Sequence, residues 1–121
     1  MRKELEQKLV ERFPRWFNIR GDLRHTLMPF GFQCDDGWFE LLWRLCEHLE
    51  ALVQRFKRKT GERFEILQVK QKLGGLRFYT NHRPDAIRER IEAAQQESFR
   101  TSKVCGQQGR LREGGVHPVA L

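Results

Sequence analysis

Residues 64–80 read FEILQVKQKLGGLRFYT. This stretch holds two apolar, β-favouring runs, Phe64–Val69 and Leu76–Thr80, with Gly74-Gly75 just before the second. A Gly-Gly pair accepts positive φ at little steric cost, so the two runs are predicted to form an antiparallel hairpin. Side chains alternate along a strand, which sets Leu76, Phe78 and Thr80 on one face and Arg77 and Tyr79 on the other. The first run is less regular. Phe64 and Ile66 share one parity and Leu67 and Val69 the other, which predicts cover on both of its faces. A two-stranded hairpin is marginal in water unless something packs on it, so the flanking segments are expected to be helices that do so.

Upstream, Trp38, Leu42, Leu45, Leu49, Leu52 and Phe56 recur at steps of four and three residues, an apolar stripe that predicts a long helix from about Gly37 to Lys59. Leu41, Cys46 and Val53 widen the stripe, as suits a core helix lying across a sheet. Asp35 or Asp36 is expected to cap it, because a short carboxylate accepts the unpaired amide protons of a first turn. Gly61 supplies the stop, and the cations from Arg55 to Lys59 suit the negative helix end. Leu5, Leu9 and Phe13 predict an amphipathic helix over Arg2–Phe13, ended by Pro14.

The segment Arg15 to Asp22 interleaves aromatics with cations; it can stack on nucleobases, but more commonly such a segment tucks its aromatics under a neighbouring helix. His25–Phe32 reads as an irregular apolar connection broken by Pro29 and Gly31. After the hairpin, Pro84-Asp85 opens a last helix whose buried side is Ile87, Ile91 and Ala94, joined by Phe99. The expected architecture is a single α+β domain over residues 1–100. A hairpin or small antiparallel sheet packs on a long helix with two shorter helices beside it, around a core of Leu42, Leu45, Leu49, Leu52, Phe56, Ile66, Val69, Leu76, Phe78, Ile87 and Ile91. Residues 101–121, rich in Gly, are expected to form a loosely ordered tail.

At 121 residues the chain has one domain's length, and its 39% hydrophobic content suits a globular fold. Cys34, Cys46 and Cys105 are odd in number and scattered, which argues against a disulfide framework. No apolar run approaches a membrane span, and the N-terminus lacks a signal-peptide core, so a cytoplasmic protein without membrane contact is expected.

The net charge of +7 is concentrated. Between Arg55 and Arg83 stand Arg55, Lys57, Arg58, Lys59, Arg63, Lys70, Lys72, Arg77 and Arg83 against only Glu62 and Glu65, so this window alone equals the whole excess. With Tyr79 these nine cations are the candidate residues for binding an anionic partner, nucleic acid or protein. A solvated face that keeps a small protein soluble is the plainer reading of the same residues. His25, Cys34, Asp35, Asp36, His48 and His82 are scattered, with no spacing that matches a nucleophile and its base, so neither catalysis nor a cofactor is expected.

Three stretches carry a resemblance: Phe30 to Phe39 (FGFQCDDGWF), Gln68 to Tyr79 (QVKQKLGGLRFY), and Glu97-Ser98 leading to Cys105-Gly106. On them the chain resembles a set of small uncharacterised proteins of tailed phages and prophages, over about Met28 to Gly109. The resemblance implies an accessory factor in a bacterial host cell that occupies a surface of a host protein or nucleoprotein complex; inhibitors of host defence, anti-CRISPR proteins among them, are one large class of such factors. It also implies a zinc-ribbon-like C-terminus: a Cys-x-x-Cys-Gly knuckle, a Trp, then a Cys and a His. Here Ser102 stands at the first knuckle position, leaving Cys105, and the last eight residues offer only His117. Two ligands do not make a structural zinc site, so the tail reads as a degenerate, metal-free remnant.

Overall fold

The computed structural model describes residues 1–101. Its elements are α1 (Lys3–Arg12), β1 (Phe32–Gln33), α2 (Phe39–Thr60), β2 (Ile66–Lys72), β3 (Gly75–Thr80) and α3 (Asp85–Ser98). Among the described residues the fold is α+β, with three α-helices and one three-stranded sheet in the order β1-β2-β3. Ser102, Cys105 and His117, and with them the expected Gly-rich tail, lie outside the described residues.

The hairpin turns one residue earlier than the Gly-Gly pair suggests. Lys72 stands opposite Gly75, and the two loop residues are Leu73 (φ 54°) and Gly74 (φ 84°). Positive φ at both loop positions matches the right-handed twist of the strands. Gly75 is needed for a different reason. A Cβ there would lie 2.3–2.9 Å from three atoms of the Phe99 ring, so the aromatic packs where a side chain would be. Gly75→Ala is expected to cost about 1–3 kcal/mol through overpacking. In thermal unfolding, the double variant Gly75→Ala/Phe99→Ala should lose less than the two single losses added, because the collision is removed with the ring.

A bulge explains the irregular first run. Ile66 pairs with Thr80 and Gln68 with Tyr79, so Leu67 is the extra residue between them. The insertion flips the parity, and Ile66 and Val69, three residues apart, both turn to the face that holds Leu76 and Phe78; all four are buried. Cover on the second face of this run is partial: Glu65 is buried there, Leu67 and Gln68 are half-buried, and the face opens further along the strand at Lys70 and Lys72.

The sheet is mixed rather than purely antiparallel, because β1 arises in the segment expected to be irregular. Phe32 and Gln33 pair in parallel with Val69 and Lys70, α2 forming the crossover between the strands. Phe17 adds a parallel bridge to Ile66, and the Trp16 carbonyl accepts the Ile66 N–H at 2.9 Å. The outer edge of β3 is closed by α3: Ser98 Oγ accepts the Leu76 N–H at 2.8 Å and Gln95 Oε1 accepts the Phe78 N–H at 3.1 Å. An edge strand satisfied in this way offers no template for another strand.

Most of the expected core is buried, with Leu42, Leu49, Ile66, Val69 and Ile91 fully so. Leu52 and Phe56 are corrected to partly buried residues that pack against the core from outside, Phe56 lying 5.1 Å from the His82 ring. Val53 takes the inward position in that turn of α2. Phe99 is also corrected: it follows α3 but is 50% exposed rather than buried with Ile87, Ile91 and Ala94. Neither aspartate caps the long helix. A 3-10 turn, Asp36–Trp38, leads into α2 without a side-chain cap. Asp36 instead accepts the Arg2 N–H at 2.7 Å and pairs with the Arg2 guanidinium at 2.9 Å, tying the start of α1 to the start of α2. At the far end Gly61, at φ 72°, donates its N–H to the Lys57 carbonyl at 2.7 Å and stops the helix.

Burial pushes the Cys34 thiol up to about 12, with Asp35 and Glu6 adding to the shift, and burial drives Cys46 up as well. A thiol that stays protonated to such a pH is a poor nucleophile. In a Cys105→Ser background the native protein should leave a thiol reagent unreacted at pH 8 and consume two equivalents on unfolding. The folded Cys34 keeps its proton where the unfolded thiol, with an ordinary value of 9.0, has lost it, so its contribution to stability is complete below pH 9 and declines towards pH 12.

Candidate functional site: the open face of the sheet

Strand register assigns the side chains on the uncovered face. Gln33 lies beside Lys70, Lys70 lies directly opposite Arg77, Gln68 opposite Tyr79, and Lys72 opposite Gly75. Three cations therefore share this face with two glutamines and a tyrosine, and the only side-chain hydrogen bond between its members is Gln68 Nε2 to Gln33 Oε1 at 2.9 Å. No acid among the described residues pairs with Lys70, Lys72 or Arg77. Like charges directly opposite in a sheet cost stability, so the Lys70–Arg77 pair opposes folding by a few tenths of a kcal/mol up to about 1 kcal/mol.

Four of the ten candidate residues are thus brought together: Lys70, Lys72, Arg77 and Tyr79. The others are not part of this face. Arg55, Lys57, Arg58 and Lys59 are exposed on the last turns of α2, which lies on the buried side of the sheet, and they complement the negative end of that helix. Arg63 pairs at 3.6 Å with Glu65, a largely buried carboxylate that also takes a 2.9 Å contact from His25 Nε2. Arg83 is exposed in the turn before α3.

Two features of the face are invisible in the local pattern. Phe99 reaches round the closed edge of β3 and covers Gly75 from the side on which Arg77 and Tyr79 project. Along β3 the order on the open face is therefore Phe99 over Gly75, then Arg77, then Tyr79, at intervals of about 7 Å. The only sequence signal for this is the second glycine of the pair, whose missing Cβ leaves room for a ring. Beyond Tyr79 lies a depression of about 290 Å³, lined by Leu23, Arg24, Leu27, Leu67 and Gln68. Leu23 and Leu27 are exposed there, and Leu67 is the bulge residue that the flipped parity sends outward.

A second hollow, of about 600 Å³, lies between the end of α1, the C-terminal half of α2 and the link to β2. Its aromatic floor is structural: Trp16 stacks on Phe13 at 5.2 Å and meets Phe64 edge-on at 5.4 Å. Its carboxylate Glu50 is held by both Arg12 Nη atoms at 2.8 and 2.9 Å, which keeps the carboxyl below its ordinary range and raises the guanidinium. Elsewhere among the described residues, His48 contacts Arg90, and His82 pairs with Glu62 at 3.1 Å. No described helix is long and apolar enough to cross a membrane. Comparison with family models, with curated proteins and with solved structures gives no match.

Proposed function

We propose that this protein is a phage accessory factor that works by binding: the open face of its sheet docks on a negatively charged surface of a host macromolecular complex and inhibits or modulates it. One observation carries the reading. Lys70, Lys72 and Arg77 are placed side by side on an uncovered sheet face with no acid among the described residues to neutralise them. The register costs folding energy that an anionic partner would offset. A cationic patch of this kind also speeds the encounter with such a partner. Cys34 and Cys46 are buried in the core, which keeps both thiols from serving as surface nucleophiles.

The test is affinity capture of the tagged chain from a bacterial lysate, with and without nuclease. A stoichiometric complex recovered above a tag-only control is the expected result. Recovery of nothing beyond that control in both arms would overturn the reading.

A further inference from the structure

Resting on that reading, we infer that the part of the partner this face takes is single-stranded nucleic acid, its bases stacking on Tyr79 and Phe99 and its phosphates lying against Lys70, Lys72 and Arg77. A single strand presents alternating planar bases and phosphates, and non-specific binders of such strands combine aromatic rings with a cationic track. The open face has that composition in register. Phe99 over Gly75 and Tyr79 bracket Arg77 along β3, while Lys70 and Lys72 run parallel to them on β2. The two aromatic positions are about 13 Å apart, four residues along one strand.

Both rings are accessible, Phe99 at 50% and Tyr79 at 37% exposure. Neither ring has an aromatic partner among the described residues, whereas Phe13, Trp16 and Phe64 stack or meet edge-on and Phe17 packs on Phe32 at a tilt inside the fold. The hollow beside Tyr79 provides room for a base turned out of the strand. It is at the small end of ligand pockets, and Leu23, Leu27 and Leu67 line it together with Arg24, His25, Thr26 and Gln68. A duplex hides its base faces in the stack, so it can use the cations of this sheet but not its rings. A negatively charged protein surface would likewise engage Lys70, Lys72 and Arg77 without needing Tyr79.

Fluorescence anisotropy with labelled eight-nucleotide DNA and RNA strands, and with a twelve-base-pair duplex, tests the assignment. The single strands are expected to bind at least tenfold more tightly than the duplex at equal salt. The DNA and RNA arms identify which sugar the face accepts. Tyr79→Ala and Phe99→Ala should each weaken single-strand binding about tenfold, and Tyr79→Phe should restore it, since stacking needs the ring and not the hydroxyl. The logarithmic salt slope should be about −2, as for three phosphate contacts. Circular dichroism of each variant checks that the fold is intact.

Equal or tighter binding of the duplex would overturn the inference, as would unchanged affinity in both alanine variants. If no oligonucleotide binds, while lysate capture yields a nuclease-resistant protein partner that requires Lys70, Lys72 and Arg77, the inference falls and the binding reading stands. If capture also fails, both fall.

Discussion

Replacing Lys70, Lys72 and Arg77 together by glutamine is expected to abolish partner capture while leaving the protein slightly more stable. The two effects have opposite signs for one reason. Lys70 faces Arg77 across the β2–β3 pair, and both project from the sheet into solvent rather than into the core. Removing like charges at directly opposed positions recovers a few tenths of a kcal/mol up to about 1 kcal/mol. For a domain of this size that is a rise of a few degrees in Tm, roughly 1–6 °C. The loss of binding should be far larger, because charge-assisted contacts are worth about 1.5–3 kcal/mol each and three are removed together. A differential scan of the variant beside affinity capture reads both effects. A variant that loses stability as well as binding would mean that these cations hold the fold together, contrary to the register described above.

Trp38→Ala is expected to give the largest loss of stability of any single substitution. The Trp38 side chain is fully buried where the 3-10 turn enters α2, and its Nε1 donates to the Thr101 carbonyl at 3.2 Å. Truncation leaves a cavity of most of an indole and an unpaired carbonyl in the core. A change of this kind costs about 3–5 kcal/mol, a large share of the roughly 5–15 kcal/mol that holds a domain folded. Urea denaturation followed by circular dichroism should show the midpoint falling with little change in slope. Trp38→Phe keeps part of the volume but not the donor, so its loss should be clearly smaller. A Trp38→Ala variant destabilised by less than about 1 kcal/mol would contradict the burial of this ring in the core.

The parts of this fold that could be read in the sequence are those governed by a single local period. Trp38, Leu42, Leu45 and Leu49 lie on one helical stripe, and that stripe is the buried side of α2. Leu76, Arg77, Phe78 and Tyr79 alternate, and β3 buries the expected face. What could not be read depends on contacts between distant segments. The parity of Ile66 and Val69 is set by a bulge at Leu67, where the backbone is also held from outside: the Leu67 carbonyl accepts the Leu27 N–H at 2.9 Å. The strand at Phe32–Gln33 forms because β2 offers it a free edge, not because two residues have strand propensity of their own. Asp36 looks like a cap locally, but the Arg2 backbone and guanidinium reach it first.

The candidate site divides in the same way. The charge excess of residues 55–83 was visible as a total, but its separation into an open-face cluster and a helix-end cluster follows from α2 lying behind the sheet. Tyr79 was legible from strand alternation. Phe99 was not, because its place on the face depends on an absent side chain at Gly75, twenty-four residues earlier.

The proposed partner meets the open face of the sheet rather than the cationic end of α2. Amide chemical-shift mapping of the isotopically labelled protein, titrated with the partner recovered by capture, tests it most directly. The largest shifts are expected at Gln33, Gln68, Lys70, Lys72, Arg77 and Tyr79, with Arg55 to Lys59 left near their free positions. Shifts concentrated on Arg55, Lys57, Arg58 and Lys59, with β2 and β3 unmoved, would contradict it.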